Sequence, residues 1–413
     1  MAKILVISPT PSHPQESGNR ARVFALLSEL REVGHTIHFV YLERVGYKSD
    51  NAAMEQEWEG FRAVPYSQPS TPRRKKWFDT LARVIGKERV LPFKIDDWFD
   101  DSVLLPVREV ADQLNPDIVL VEYVFVSKVL NVFDNNVLKI LDTHDVFGGR
   151  DQLYYEKNMT PLWFYTTEEE EKRGVDRADI ILAIQPQEAE YFKKISERKV
   201  LTVGHLIRPA ESKHVEPTFP PRLLFVGSSN NSNIDGVQWF LENVFGILQN
   251  KYSGIVLDVV GDIADSLEPA VSMNLLGTVE DLTPFYQKAS VVINPLQFGT
   301  GLKIKSVEAL AMKRPLVTTP NGATGIEEWA GRAFLCAETP EEFADAILQI
   351  INLAELQDTL QKGAEEFTAL YNQQAFSPLK EEIDIYLRER SKISGSNNEE
   401  KSQPNNSKFG NTN

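Results

Sequence analysis

Residues 291–311 read Val-Val-Ile-Asn-Pro-Leu-Gln-Phe-Gly-Thr-Gly-Leu-Lys-Ile-Lys-Ser-Val-Glu-Ala-Leu-Ala, and this stretch is the most specific signal in the chain. Its start, Val291–Leu296, is a mostly apolar run with the length of a strand buried in a parallel sheet. A loop with two glycines follows, and a helical pattern begins after it. Such a loop lies at the carboxyl end of its strand, where open α/β sheets bind ligands. The stretch therefore predicts an α/β domain with a ligand site in this loop.

The residue types in this loop and helix favour a nucleoside diphosphate. Gly299 and Gly301 allow backbone N–H groups to come close to a ligand, and the N-terminus of a helix attracts anions. Lys303 and Lys305 add positive charge, and Glu308 lies on the same side of the helix as Lys305. These groups could hold a diphosphate and accept hydrogen bonds from two ribose hydroxyls. A glycine turn followed by a solvated Lys/Glu helix face would explain a lone Gly-x-Gly equally well.

Further strands are predicted on both sides of this stretch, each followed by a helical or polar segment. They are Lys3–Ser8, Thr36–Leu42, Asp117–Glu122, Leu138–His144 and Asp179–Gln185 in the first half, and Arg222–Ser228, Ile255–Asp262, Leu275–Val279, Val291–Leu296 and Pro315–Pro320 in the second. The alternation of strands and helices indicates doubly wound α/β domains. The series restarts at Arg222, so the sequence predicts two Rossmann-like domains that face each other across a cleft.

These patterns give the domain organisation. One Rossmann-like domain is predicted for 1–205 and a second for 222–375. The linker, 206–221, includes Pro217, Pro220 and Pro221, which disfavour regular structure. A C-terminal helix at 376–390 is expected to pack back toward the first domain. The tail, 391–413, has almost no apolar residues, and this composition predicts disorder.

Composition excludes several classes of protein. The chain has 413 residues and a formal net charge of −15, which argues against binding to nucleic acid. A single cysteine, Cys336, excludes an intramolecular disulfide and a metal site built of thiolates. We see neither a secretory signal nor a membrane span in the sequence, so a cytoplasmic location is expected.

Several motifs of the second half occur in the same order in one known family. They are Phe225-Val-Gly-Ser-Ser-Asn230, Val259-Val-Gly-Asp262, Gly277-Thr-Val-Glu-Asp-Leu282, Gly299-x-Gly301-x-x-x-Lys305-x-x-Glu308-Ala309 and Arg314-Pro-Leu-Val-Thr-Thr-Pro-Asn-Gly-Ala-Thr-Gly325. The chain thereby resembles the retaining glycosyltransferases of family four, the group 1 enzymes with the GT-B fold. The first half resembles them more loosely, through Gly18 to Arg22, Gly34-His35 and Asp142-Thr-His-Asp145.

The resemblance implies that 1–205 is the acceptor domain and that 222–375 is the nucleotide-sugar donor domain. It also implies a role for each residue of the donor site. Glu308 would bind the donor ribose. The diphosphate and sugar would face the loop and its lysines, which comprise Gly299, Thr300, Gly301, Leu302, Lys303 and Lys305. Gly227 and Ser228 would add phosphate contacts, Gly18 would lie near the diphosphate, and the base would sit near Thr278.

One residue of the first half joins this set. His144 ends a predicted strand and would point into the cleft, where it could hydrogen-bond the donor sugar. A structural role for His144 is the competing interpretation. Arg150, on the next loop, could contact a phosphate or the acceptor.

Two positions depart from the family pattern. Many relatives have a Glu where this chain has Thr300, which concerns recognition of the sugar. Many also carry an Arg and a Lys after the first strand of the second domain, whereas Ser228-Ser-Asn-Asn-Ser-Asn233 has no cation. Lys303, Lys305 and backbone amides would then have to balance the charge of the leaving diphosphate.

The predicted activity is transfer of a hexosyl-type sugar from a nucleoside diphosphate to a hydroxyl acceptor, which could be a glycan or a lipid-linked saccharide. Retention of configuration and independence of metal ions follow from the resemblance. Two alternatives stay open at this stage, a sugar-nucleotide 2-epimerase and an inactive GT-B partner subunit. The basic, amphipathic stretch 73–87 would permit weak contact with the inner face of a membrane.

Overall fold

The structure is a computed structural model. It describes residues 1–15, 17–67, 69, 71–72, 75–77, 79–80, 91–156, 159, 161, 163–207, 219–279, 281–299 and 303–400, the last eight by their backbone only. The predicted site residues Thr300, Gly301 and Leu302 lie outside these ranges. So do 208–218 of the predicted linker, 401–413 of the predicted tail and most of 73–87.

The first domain is built on a parallel sheet of seven strands in the order β3-β2-β1-β4-β5-β6-β7. Its strands are β1 Lys3–Ser8, β2 Thr36–Arg44, β3 Glu59–Tyr66, β4 Ile118–Glu122, β5 Leu138–Asp142, β6 Ile180–Ala183 and β7 Lys199–Thr202. Side chains of β1 pack alternately on the two sides of the sheet, with Leu5 and Ile7 in one core and Ile4 and Val6 in the other. Helices therefore cover both faces, which is why the central strands are apolar throughout.

The second domain has a parallel sheet of six strands in the order β10-β9-β8-β11-β12-β13. Its strands are β8 Arg222–Val226, β9 Val256–Val260, β10 Met273–Leu275, β11 Val291–Asn294, β12 Leu316–Thr318 and β13 Leu335–Cys336. In both sheets the strand order reverses beside the first strand, β1 or β8, so a crevice opens at the carboxyl ends there. The two parallel sheets confirm the predicted α/β class.

Helices connect the strands on both sides of the sheets. In the first domain they are α1 Gly18–Glu32, α2 Asn51–Glu57, α3 Leu104–Leu114, α4 Arg150–Tyr155, α5 Glu168–Val175 and α6 Pro186–Ile195. In the second they are α7 Asn231–Phe240, α8 Gly246–Lys251, α9 Thr283–Lys288, α10 Ile304–Ala311 and α11 Pro340–Asn352, followed by α12 Ala354–Glu400. Short 3-10 helices occupy Asp101–Val103, Val124–Val132, Asp262–Ser266 and Glu327–Trp329, and a short π-helix occupies Leu241–Phe245.

Four strands differ from the sequence prediction. The strands β3, β7 and β13 were not predicted, because they lie at or next to sheet edges and lack a long apolar run. The predicted strand Leu275–Val279 is wrong in position, since β10 ends where that prediction begins. Gly277 has a φ of +65°, which lies outside the extended region, so the strand cannot continue to Val279. Thr278 therefore lies in a loop.

The last helix, α12, contacts both domains. Leu360 and Phe367 lie in the cores of the second domain, whereas Phe376, Leu379 and Ile383 pack into the core of the first. The helix predicted for 376–390 is thus one part of a longer element. The backbone of 391–400 continues it, in contrast to the disorder predicted from residue 391. Extending an existing helix avoids the cost of nucleating a new one, so a weakly helical composition can follow it.

Candidate active site

A cleft of about 1320 Å³ lies between the domains, at the carboxyl ends of the central strands of both sheets. Every described residue of the predicted site lines it: Gly18, His144, Gly227, Ser228, Thr278, Gly299, Lys303, Lys305 and Glu308. The two halves of the site are far apart in sequence. The fold therefore brings the predicted donor residues of the second domain opposite His144 of the first.

Two lysines form the positive part of the cleft. Lys303 stands directly before α10, is only 6% exposed, and its Nζ donates to the carbonyl of Gly299 over 3.2 Å. Lys305 donates a very short hydrogen bond to Oδ1 of Asn233, and its Nζ lies 4.6 Å from the centre of the Phe225 ring. Burial lowers the pKa of Lys303 to about 8 and that of Lys305 to about 7. A bound anion would relieve this cost of burying positive charge.

Glu308 lies one helical turn after Lys305 on α10. Burial raises the pKa of its carboxyl to about 7, and the Lys305 ammonium opposes this rise. An ionised carboxylate at this position offers two oxygens, each able to accept a hydrogen bond. The Lys305–Glu308 pair can thus present a cation and an acceptor to different parts of one ligand.

The loop after β8 faces these side chains. The backbone N–H of Gly227 donates to Val260 over 2.9 Å, and Asn230 caps α7 by accepting from the N–H of Asn233 over 2.9 Å. The side chain of Asn233 donates to the carbonyl of Ser228 over 2.8 Å. Since Lys305 contacts Asn233, a cation from α10 lies against the loop whose own sequence has none.

The loop after β8 also depends on a glycine of the neighbouring strand. Gly261 has a φ of +113°, and a Cβ added to it would lie 2.0 Å from the carbonyl oxygen of Gly227. We expect Gly261→Ala to lower the free energy of unfolding by about 1–3 kcal/mol, because it combines a strained backbone with a backbone clash. Thermal unfolding of the full chain measures this effect.

Gly246→Ala is the matched control for Gly261→Ala. Gly246 begins α8 with a φ of −62°, and nothing lies within 4 Å of an added Cβ. Its replacement is expected to leave stability unchanged or to raise it slightly. Equal unfolding temperatures for the two variants would contradict the close contact between Gly261 and the carbonyl oxygen of Gly227.

His144 forms the opposite wall, two residues beyond β5. Its backbone has a φ of +61°, and its ring stacks on Tyr123 with centroids 4.1 Å apart and planes 10° from parallel. The Nε2 atom makes a very short hydrogen bond to Glu122. The guanidinium of Arg22 holds both oxygens of Asp142, at 2.9 and 2.8 Å. The orientation of the His144 ring is therefore fixed by the buried charged groups next to it.

Sequence reasoning missed Glu122, Arg22 and Tyr123 as parts of this wall. Glu122 and Asp142 end neighbouring strands and are directly paired in the register of β4 and β5. Charged residues at the ends of two apolar strands were the available signal. Which strands are neighbours, however, depends on the order of strands in the sheet, which the sequence does not state.

Ligand atoms of Glu122, Asp142 and His144 all lie within 4.8 Å of one another. Both Asp142 oxygens are engaged by Arg22, so the set fits a salt-bridged cluster better than a metal centre. Independence of metal ions stays a prediction.

Two further residues of the first domain reach the cleft. Arg150 makes a very short ion pair with Asp145 and lies over the rings of Phe147 and Trp163, at 5.4 and 5.9 Å. Gly18 opens α1 against the second domain, where an added Cβ would lie 2.9 Å from Cδ1 of Ile304. The N-terminus of α1 and the start of α10 are thus in close contact across the cleft.

The match to a family model concerns the part of the chain that carries Lys303, Lys305 and Glu308. Residues 220–353 match the family described as "Glycosyl transferases group 1". The second domain is a group 1 glycosyl transferase domain. A relative in sequence is an uncharacterized 44.6 kDa protein in the cps region of Klebsiella pneumoniae. It is 24% identical over 383 residues, covering 84% of this chain and 90% of that protein.

Several solved structures are similar to the whole chain and not to its second domain alone. Sucrose-phosphate synthase from Thermosynechococcus elongatus has a TM-score of 0.67 at 16% identity, covering 94% of this chain and 100% of that one. Anabaena HepE, in complex with UDP and glucose, has a TM-score of 0.60 at 12% identity, with coverages of 92% and 100%. Pneumococcal GtfA, an O-GlcNAc transferase in complex with UDP and GlcNAc, has 0.63 at 10%, with coverages of 94% and 99%. The predicted GT-B fold is confirmed for the whole chain, and its second domain matches the group 1 glycosyl transferases.

The predicted contact of 73–87 with a membrane stays a prediction. Within the described part of this stretch, residues 75–77 and 79–80 are helical, and Trp77 is 69% exposed. Lys75 is buried, where its Nζ donates to the hydroxyl of Tyr165 over 2.8 Å. In the part of the chain that the structure describes, no helix has both the length and the apolar composition needed to cross a membrane.

Proposed function

We propose that the chain transfers a sugar from a nucleoside diphosphate to a hydroxyl of a saccharide acceptor, with retention of configuration and without a metal ion. One observation carries the proposal. The buried Lys303, directly before α10, and the half-buried Lys305 and Glu308 on α10 line the cleft, as does the loop after β8. This set fits a diphosphate attached to a ribose and needs such an anion to offset its buried positive charge.

Each group then has a defined part in the reaction. Lys303, Lys305 and the N–H groups at the start of α7 balance the negative charge that develops on the departing diphosphate. Glu308 accepts hydrogen bonds from the ribose and fixes the position of the donor. His144, across the cleft, contacts the donor sugar. In the proposed mechanism the leaving phosphate takes the proton of the acceptor hydroxyl on the same face, and the configuration is retained.

The acceptor is proposed to bind where the first domain lines the cleft with aromatic side chains. Tyr123, Tyr154 and Trp163 lie there, and Tyr154 meets Phe298 of the second domain at 6.1 Å in an edge-on contact. Aromatic rings present large, rigid surfaces to the C–H faces of sugar rings. The relative from a cps region supports assembly of a polysaccharide as the setting.

The proposal is tested with a panel of nucleoside diphosphate sugars. We expect one donor to raise the unfolding temperature of the wild type by several degrees, as ligand binding to the folded state requires. Glu308→Ala should abolish this shift, and the exposed Glu381→Ala should keep it. Incubation with the stabilising donor and saccharide acceptors should release nucleoside diphosphate and form a glycoside with the donor's anomeric configuration.

The products distinguish the proposed reaction from the other two. An epimerised sugar nucleotide formed without an acceptor would indicate a 2-epimerase. Donor binding without release of nucleoside diphosphate from any acceptor would indicate a non-catalytic subunit. Either result would overturn the proposed transfer.

A further inference from the structure

Glu122 is buried beneath the cleft and has no part in the donor chemistry described above. It ends β4 with an exposed fraction of 0%, and one of its oxygens, Oε2, bonds Nε2 of His144. The other, Oε1, is buried without a hydrogen-bond partner among the described residues. A buried, unpaired carboxylate oxygen costs stability, so Glu122 is a poor choice for a purely structural position.

We propose that Glu122 is a positioning residue that fixes His144 as the Nε2–H tautomer and turns Nδ1 toward the donor sugar. This inference rests on the proposed function, because His144 needs a defined orientation only if it meets a ligand. The Glu122 carboxylate accepts the Nε2–H, and Nδ1 is left as the ring nitrogen that can accept a hydrogen bond from a sugar hydroxyl.

Glu122 is better placed than Asp142 or Tyr123 to accept the Nε2–H of His144. Asp142 lies 3.7 Å from Nε2, but Arg22 occupies both of its oxygens. Tyr123, parallel to the ring of His144, limits its tilt and offers the ring no hydrogen bond from its face. The φ of +61° at His144 directs the side chain back over the ends of β4 and β5.

Charged or titratable groups from three elements surround the Glu122–His144 pair. Asp142 lies on β5, Arg22 lies on α1, and His205 follows β7. Burial and Asp142 raise the pKa of Glu122, whereas His144 and Arg22 oppose that rise. Burial, Arg22 and His144 lower the pKa of His205 to about 3, so it stays uncharged and does not compete for Glu122.

Two variants separate positioning from structural support. Glu122→Leu removes the acceptor, whereas Glu122→Gln keeps an oxygen that can accept the Nε2–H. We expect kcat of the full-length Leu variant to fall roughly tenfold, the effect of losing one hydrogen bond between the neutral imidazole of His144 and a hydroxyl of the donor sugar. The Gln variant should keep most of the activity. Affinity for nucleoside diphosphate, which the second domain binds, should be unchanged in both.

A double-mutant cycle tests whether the effect passes through His144. In a His144→Ala background, Glu122→Leu is expected to cause no further fall in kcat. An equal fall in both backgrounds would overturn the proposal. The proposal would also be overturned if the unfolding temperatures of the Leu and Gln variants fell in proportion to their activities, because a structural role predicts that result.

A spectroscopic arm does not depend on turnover. The chain has six histidines, and ¹⁵N labelling of histidine with His144→Ala for assignment gives the tautomer of His144. We expect Nε2–H in the wild type and in Glu122→Gln, and a different or mixed tautomer in Glu122→Leu. The same tautomer in all three proteins would refute the positioning role even if the enzyme transfers sugar. If no donor is turned over, the expected tautomer change would still support the role while the proposed function fails.

Discussion

Replacing Lys305 by Met is expected to lower kcat/KM by a factor of about 10²–10³, the effect of removing one preorganised group from a site of developing charge. Lys305 lies against the loop that caps α7, through its hydrogen bond to Asn233. In the proposed site its ammonium and that of Lys303, which lies directly before α10, balance the charge of the diphosphate. Methionine fills a similar volume without the charge. Steady-state kinetics with the donor found by the panel measures the effect.

The loss of activity should not come from loss of stability. Burial lowers the pKa of Lys305 to about 7 from an ordinary value of 10.5, so between these values the unfolded chain binds more protons than the folded one. The free energy of unfolding contributed by this group therefore rises with pH between about 7 and 10.5. Lys305→Met lacks this dependence and should be at least as stable as the wild type at pH 7.

The exposed Lys362 on α12 provides the control for charge alone. Lys362→Met is expected to leave kcat/KM unchanged, because Lys362 is not among the residues that line the cleft. Wild-type kinetics for Lys305→Met would show that the diphosphate does not depend on this cation. The phosphate site would then have to be assigned to backbone amides and Lys303.

Replacing Glu308 by Gln is expected to weaken nucleoside diphosphate binding by about 10–100-fold, the range for hydrogen bonds to a charged group. The carboxylate can accept from two ribose hydroxyls at once, whereas the amide has a single acceptor oxygen. Calorimetric titration of the wild type and the variant with the diphosphate of the preferred donor measures the loss.

The ligand itself provides a control for the role of Glu308. A 2′-deoxy nucleoside diphosphate lacks one of the two hydroxyls, so the difference between wild type and Glu308→Gln should shrink with it. If both ligands lose the same affinity in the variant, Glu308 acts on another part of the donor. Glu381→Gln, an exposed change on α12, should bind both ligands as the wild type does.

The strong local patterns of the sequence were enough for the fold class and for the strand, loop and helix that carry Lys303, Lys305 and Glu308. The run Val291–Leu296, its glycine loop and the spacing of Lys305 and Glu308 were interpreted as a strand, a loop and one helix face, and the structure has β11 and α10 there. Such features depend on residues that lie close together in the sequence. Edge strands such as β3 and β13 have weak local signals, because few of their residues are buried and they lack a continuous apolar run.

Local sequence patterns show which groups each loop offers: Gly227, Gly299, Lys303, Lys305 and Glu308 in the second half, and His144 in the first. Which of these groups meet depends on the tertiary structure. Lys305 reaches Asn233 across 72 positions of sequence, and Glu122 reaches His144 because β4 and β5 are neighbours in the sheet. The physical reason is that periodicity reports burial along one segment, whereas contacts between segments follow from strand order and from the packing of two domains against each other.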